Sequence, residues 1–79
     1  MHLVIAKVDQ VFFDGEADSV TLPGANGVLT VLTHHEPLVT TLKAGTVVVH
    51  ASNLAGGEVS FPVESGVLEV NAEGASVLL

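Results

Sequence analysis

The sequence predicts an all-β domain, a flattened antiparallel β-sandwich or barrel of about eight to ten short strands. Apolar and polar residues alternate with a period of two, and turn signals recur roughly every 5–12 residues. No stretch of a dozen residues carries the apolar stripe of an amphipathic helix. The segments that fit strands are Leu3–Val8, Val11–Phe13, Ala17–Leu22, Val28–Leu32, Leu38–Leu42, Thr46–His50, Glu58–Glu64, Val67–Val70 and Ala75–Leu79.

Turn-forming residues separate these segments. Asp14-Gly15 predicts a turn after the second strand, and Pro23–Gly27 is a dense cluster of turn residues. Further turns and loops are predicted at Lys43–Gly45, Ala51–Gly57, Ser65–Gly66 and Asn71–Gly74.

The segment Glu58–Glu64 alternates most clearly, because its valines and its phenylalanine all point to one side. Pro62 has no amide hydrogen to donate to a β-ladder, so an edge strand or a strand end is predicted there. Other strands are apolar on both faces, as in Val47-Val48-Val49. One face of an antiparallel sandwich is normally wet. This pattern therefore favours either a central strand or a second face that a partner covers.

The composition is apolar and acidic. Hydrophobic residues make up 48% of the 79 residues, and nine carboxylates face two lysines and no arginine, for a net charge of −7. Nucleic-acid binding needs clustered Lys or Arg, so it is excluded, and binding to anionic lipid is disfavoured. The length fits one domain, residues 1–79, which buries only ~60% of its unfolded surface. An apolar composition at this size indicates either a permanent interface or a chain that is merely rich in Ala, Val and Gly.

The sequence predicts a cytoplasmic setting. No run of ~18 apolar residues occurs, so direct membrane insertion is not expected. The start, Met1–Lys7, lacks the basic and long apolar regions of a signal peptide and instead fits a strand. The chain has no cysteine, which excludes disulfides and thiolate zinc sites.

Four histidines raise the possibility of a metal site. His34 and His35 are adjacent, so on a strand they would point to opposite faces and could not bind one ion together. His2 and His50 show no ligand spacing with them, whereas zinc needs three or four converging ligands. Surface or interface histidines are the favoured interpretation, and no metal is predicted.

Three carboxylates, Asp14, Glu16 and Asp18, lie close together in the sequence. On a strand, Glu16 and Asp18 would share one face. Nothing in the sequence shields them, so a solvated face is favoured over acid–base chemistry or a weak cation site.

The sequence lacks the common motifs of catalysis and cofactor binding. It contains no G-x-x-x-x-G-K-[ST] or G-x-G-x-x-G phosphate loop and no G-x-S-x-G nucleophile elbow. No catalytic residue, cofactor, nucleotide or small-molecule substrate is therefore predicted.

Four blocks occur in order and cover most of the chain. They read FDGEADSVTLPG from Phe13, HEPLVTTLKAG from His35, SGVLEV from Ser65 and ASVLL from Ala75. Together they resemble the N-terminal β-sandwich domain of the ε subunit of bacterial F-type ATP synthase.

The resemblance implies a non-catalytic rotor subunit of the central stalk. Such a subunit packs on the γ subunit and the c ring and couples ion translocation to ATP synthesis, peripherally at the cytoplasmic face of the bacterial plasma membrane. The resemblance does not assign which face of the sandwich meets γ. The resemblance implies c-ring contacts at one turn-rich end, with candidate residues Asn26, Val28, His34, His35 and Glu36.

The sequence departs from the family pattern near those candidate contacts. The family often has Pro-Gly where Thr33 and His34 stand, Ala at the position of Glu36 and an acidic residue at that of Val28. Most bacterial ε subunits continue into two C-terminal helices that brake ATP hydrolysis and, in some species, bind ATP. These 79 residues include no such helices, so coupling without that brake is expected. Whether the natural subunit ends at Leu79 stays open.

Two other non-enzymatic classes fit part of the sequence. A carrier domain of the biotinyl or lipoyl type is also all-β and acidic, but Lys43 lies between Leu42 and Ala44 instead of Met or acidic neighbours. A free-standing adhesive or structural β module is the second alternative. A covalent adduct on a lysine would favour the carrier, whereas co-purification with γ would count against the free-standing module.

Overall fold

The computed structural model describes all 79 residues, which form nine strands and one short 3₁₀ turn at Ala55–Gly57. The all-β prediction is confirmed, and no helix is long and apolar enough to cross a membrane. The strands are β1 His2–Lys7, β2 Gln10–Glu16, β3 Ser19–Gly24, β4 Gly27–Leu32, β5 Leu38–Leu42, β6 Gly45–His50, β7 Glu58–Val63, β8 Gly66–Asn71 and β9 Gly74–Leu78.

The strands form one hydrogen-bonded sheet that folds over on itself into two layers. The first layer has the strand order β2-β1-β9-β8-β5, and the second has the order β4-β3-β6-β7. The layers join where Gly24 of β3 pairs with Leu42 of β5. This is the flattened sandwich that the alternation predicts, and β7, which contains Pro62, is an edge strand as predicted.

One strand pair departs from the antiparallel prediction. β1 and β9 run parallel, with Leu3 beside Ala75 and Ile5 beside Val77, whereas every other pair is antiparallel. A parallel pair needs a long connection, and these two strands are the first and last of the domain. All four of these side chains are buried, so the pair lies directly over the core.

The chain crosses between the layers at a corner formed by Lys43–Gly45. β5 and β6 follow each other along the same edge of β3, β5 at Gly24 and β6 at Ser19–Thr21. The N–H of Lys43 donates to the carbonyl of Pro23 at 2.9 Å. A Cβ atom on Gly45 would lie 2.8 Å from the Cβ of Pro23. Only glycine therefore allows β6 to begin this close to β3.

A single hydrophobic core fills the space between the layers. Fourteen buried residues from eight of the nine strands and the β2–β3 loop form one cluster, and no polar or charged side chain is buried. The largest fully buried side chains are Leu3, Ile5, Leu22 and Leu68. Each burial of this kind contributes about 1.5–3 kcal/mol. Where a strand supplies two of these fourteen residues, they alternate along it, which is the period that the sequence predicts.

β2 is longer than predicted, and the turn predicted at Asp14-Gly15 is wrong. Both residues lie in the β1–β2 ladder, Asp14 opposite Val4 and Gly15 opposite Leu3. Pairing with β1 overrides the local turn preference of the Asp-Gly dipeptide, and the hairpin turns earlier, at Val8-Asp9. In the same way, Pro23 and Gly24 belong to β3, so only part of the predicted turn cluster is a turn.

A β-bulge in β2 changes which side chains point inward. Ala6 faces Val11 and Ile5 faces Phe13, which leaves Phe12 as an extra residue between them. Both Phe12 and Phe13 are half-buried and pack against the core. Strict alternation cannot place two adjacent residues on the same side, so the sequence period alone misses this feature.

The corner glycine gives a direct test of this fold. Gly45→Ala should lower the free energy of unfolding by about 1–3 kcal/mol, because the new methyl group would overlap Pro23. Gly15→Ala is the matched control, since the nearest atom would be a Phe13 ring carbon at 4.0 Å. Urea unfolding of both variants measures the difference. Equal stabilities would contradict the steric role of Gly45.

Candidate protein-interaction surfaces

The charged side chains form only exposed pairs. His2 Nε2 lies 3.2 Å from Asp14 Oδ1, and His2 Nδ1 lies 4.0 Å from Glu16 Oε2. His50 Nδ1 lies 3.7 Å from Glu58 Oε1. These side chains are 45–73% exposed, and exposed pairs contribute only about 0–1 kcal/mol. No three His, Asp or Glu side chains converge in a way that could hold a metal ion.

The structure divides the predicted carboxylate group. Asp14 and Glu16 flank His2 on the outer side of the first layer. Asp18 lies outside the strands, where its Oδ2 accepts the N–H of Ser52 at 3.0 Å. The expectation that Glu16 and Asp18 share a strand face is wrong, because β2 ends at Glu16.

Lys43 does not lie at the tip of a hairpin. β5 and β6 do not pair with each other, since both lie against β3. Lys43 is instead part of the corner, where its N–H is bonded to the carbonyl of Pro23. The position differs from the hairpin tip that a carrier domain presents, which argues against the carrier alternative.

The largest cavity, of about 450 Å³, opens along the seam between the edge strands β2 and β7. The rings of Phe12 and Phe61 lie across the seam with centroids 6.0 Å apart, and Lys7 Nζ lies 5.9 Å from the Phe12 centroid. The only other charged residue that lines the cavity is Glu64. The two phenylalanine rings therefore pack together across the open side of the sandwich, beside the cavity.

The five candidate c-ring contacts lie at the two ends of β4. Asn26 and Val28 are where β4 begins, whereas His34, His35 and Glu36 follow its other end. Six residues of strand span about 17 Å, so the structure does not bring the five into one compact cluster. Four of them are exposed, Val28 by 74%, and His35 is half-buried.

The outer edge of β4 connects these two groups, and its backbone is unpaired. β4 pairs with β3 alone. The carbonyl of Pro23 accepts the N–H of Lys43 and so points away from β4. Val28 lies opposite Pro23 in the antiparallel pair, and its N–H and C=O groups therefore point to the outer side of β4. Thr30, two residues on, has the same orientation. Free N–H and C=O groups therefore lie between the two groups of candidate residues.

The edge strands β2 and β7 carry features that discourage pairing with another chain. β2 has its bulge together with Asp14 and Glu16, and β7 has Pro62. β4 contains no charged residue, no proline and no bulge. Sequence reasoning missed that this strand is an edge strand. Its uncharged composition was a signal, but its edge position was not visible before the fold.

His34 takes a left-handed backbone conformation in the turn after β4. Its φ is +68°, and no other residue except glycine has a positive φ. The N–H of His35 donates to the Leu32 carbonyl at 3.0 Å, which closes the turn. Only glycine adopts this conformation without strain. The conformation explains why a Pro-Gly sequence suits Thr33 and His34 in the pattern that this chain resembles.

These features define a small β-sandwich of the protein-interaction class, with free edges, exposed apolar side chains and no buried polar side chain. Residues 1–79 match the family described as ATP synthase, Delta/Epsilon chain, beta-sandwich domain. The chain belongs to this family, and the family resemblance of the sequence is confirmed.

Curated relatives carry the same family name. The chain is 37% identical over 78 residues to the ATP synthase epsilon chain of Herminiimonas arsenicoxydans, which covers 99% of this chain and 55% of that protein. It is 39% identical over 75 residues to the ATP synthase epsilon chain of Bartonella quintana, and this match covers 95% of this chain and 52% of that protein. The chain therefore spans about half the length of the curated relatives it matches.

Two solved structures share the fold. A chain in the Euglena gracilis mitochondrial ATP synthase (OSCP/F1/c-ring, rotational state 1) matches with a TM-score of 0.86 and 23% identity, covering 99% of this chain and 49% of that one. A chain in the Tetrahymena thermophila mitochondrial ATP synthase (central stalk/c-ring) matches with a TM-score of 0.76 and 12% identity. This match covers 98% of this chain and 60% of that one. At these identities the likeness shows the fold.

The strained histidine yields a stability prediction. His34→Gly should raise the free energy of unfolding by up to about 1 kcal/mol, because relief of roughly 1–2 kcal/mol of left-handed strain exceeds the ~0.5–1 kcal/mol entropy cost of glycine. Thr33→Gly, the neighbouring control, relieves no strain and should lower the free energy of unfolding by about 0.5–1 kcal/mol. Urea unfolding compares them, and a destabilised His34→Gly variant would contradict the assignment.

Proposed function

We propose that this domain is a non-catalytic part of the rotor of an F-type ATP synthase. In this function it packs on the γ subunit and the c ring and helps to couple ion translocation to ATP synthesis. The observation that carries the proposal is the match of all 79 residues to the β-sandwich family of the Delta/Epsilon chain. The fold shared with chains of two mitochondrial ATP synthases supports it.

The construction of the domain suits a mechanical part. The sheet is continuous across both layers, and 38 of its 47 backbone hydrogen bonds lie within regular elements. Densely packed interiors compress little and transmit strain. A force applied to one layer would therefore move the whole domain as a unit, which is what coupling between two partners requires.

Contact with the c ring is proposed along the outer edge of β4. The five candidate residues, Asn26, Val28, His34, His35 and Glu36, lie at its two ends, and the unpaired backbone of β4 lies between them. β4 contains no charged residue and no proline, so a polar loop of a partner could approach the backbone of β4 closely. The two groups then act as two ends of one extended contact.

The curated relatives compared above are bacterial. This supports a peripheral position at the cytoplasmic face of the bacterial plasma membrane, where the domain is held through its partners. In this proposal the domain supplies neither a catalytic group nor a cofactor.

Single cysteines test the proposed partners, because the chain has none of its own. Val28→Cys and His35→Cys should each cross-link to the c subunit in membranes of the source organism, since both flank the free edge of β4. Ser60→Cys, exposed on β7, is the control and should not. Mass spectrometry of the cross-linked products identifies the partner in each case.

The outcomes separate the parts of this proposal. Cross-links from Val28→Cys and His35→Cys that reach γ and never the c subunit would show that the β4 contact is wrongly assigned. If affinity purification of the unmodified native protein recovers neither γ nor the c subunit, the rotor function itself is wrong.

A further inference from the structure

The outer edge of β4 matches itself under a twofold rotation. Its outward-pointing backbone groups belong to alternate residues, Val28, Thr30 and Leu32, with Thr30 in the middle. The two strands of an antiparallel pair run in opposite directions. A twofold axis beside Thr30 therefore sets Thr30 opposite the Thr30 of a second copy, and Val28 opposite Leu32 on either side. The free N–H and C=O groups of one edge then meet those of the other.

The side chains of β4 suit the same arrangement. Val31 is fully buried and Leu29 packs against the core, whereas Val28, Thr30 and Leu32 lie on the outer face. Val28 is 74% exposed and Leu32 57% exposed in the single chain. Residues directly opposite each other in an antiparallel pair are close enough for their side chains to touch. The twofold pair would therefore cover each exposed Val28 with the exposed Leu32 of the other copy.

Charge does not oppose this pairing, because the edge itself carries none. Beyond the strand, the same register sets Gly27 opposite Thr33 and Asn26 opposite His34, so no two carboxylates face each other. Glu36 is the first carboxylate after β4 in the sequence, and it lies on the side of the uncharged β3–β4 turn of the other copy. The net charge of −7 therefore comes from other parts of the chain.

We propose that the outer edge of β4 is a self-association site, at which two copies of this chain pair antiparallel about Thr30. Their second layers then form one sheet with the strand order β7-β6-β3-β4-β4-β3-β6-β7. This inference goes beyond the proposed rotor function and does not rest on it. The pair uses the edge that is proposed above for the c ring, so the two contacts exclude each other, and the pair is a form of the free protein.

A second copy fits this edge better than an unrelated extended peptide. Free backbone groups accept any strand, but the order Val28, Thr30 and Leu32 supplies its own cross-strand partners. Two chains of net charge −7 repel each other at a distance. Because the edge carries no charge, salt screens this repulsion without weakening any attraction at the contact. The pair should therefore be reversible and should become tighter as the salt concentration rises.

A single cysteine tests the twofold position, because the chain has no cysteine of its own. In a hydrogen-bonded antiparallel pair the two Cα atoms lie about 5.5 Å apart, within the range that a disulfide spans. Thr30→Cys should therefore form a disulfide-linked dimer under mild oxidation. Ser60→Cys, exposed on the other edge strand of the same layer, is the control. The Thr30→Cys dimer should form at least tenfold faster than the Ser60→Cys dimer.

Two double variants test the register. Val28→Lys with Leu32→Lys sets like charges directly opposite each other across the pair, whereas Val28→Lys with Leu32→Glu sets opposite charges there. In sedimentation equilibrium the association constant should fall at least tenfold for the first variant and less than threefold for the second. The first variant also lowers the net negative charge of the chain, so a general loss of repulsion predicts the reverse order. Circular dichroism monitors the fold of each.

The unmodified protein decides the proposal even if a variant fails to fold. It should dimerise at high salt over protein concentrations from about 10 µM to 1 mM, the range in which so small an interface associates. A protein that stays monomeric throughout this range overturns the inference. So does a Thr30→Cys variant that cross-links no faster than Ser60→Cys, or a dimer that both folded double variants leave intact or weaken equally. None of these results bears on the rotor function, which the recovery of γ and the c subunit tests separately.

Discussion

The whole structure depends on one corner, where β3 is shared by two strands that belong to different layers. Gly24 holds β5 in the first layer, and Ser19–Thr21 hold β6 in the second. The close approach of Gly45 to Pro23 lets the chain turn between them. Because the sheet folds over at this place, both layers contribute to one core, and no polar side chain is needed inside it.

The edges and outer faces of the domain differ in the side chains that they carry. Two edges are protected by a bulge, by carboxylates or by proline, whereas β4 has none of these features. One outer face carries the hydrogen-bonded pair Thr21–Thr30, and the other exposes Val11, Val67 and Leu78. The proposed rotor function needs two distinct surfaces. β4 and these three exposed side chains lie on different layers, so both surfaces can be occupied at once.

Much of the fold was visible in the sequence, because alternation reports which side chains are buried. The nine strands and the edge position of Pro62 follow from it. The Phe12 bulge, the parallel β1–β9 pair and the strand position of Asp14-Gly15 do not, because distant pairing decides them against local preference. The candidate contacts came from family resemblance, which gives positions in the chain but not that β4 separates them.

The parallel pairing of β1 with β9 also determines the order in which the domain can form during synthesis. β1 emerges from the ribosome before β9, its partner on one side, and β8 connects to β1 only through β9. The β1–β9 pair, which contains Leu3 and Ile5, can therefore close only after β9 has left the exit tunnel. Such long-range closure slows folding and leaves apolar segments open to wrong contacts.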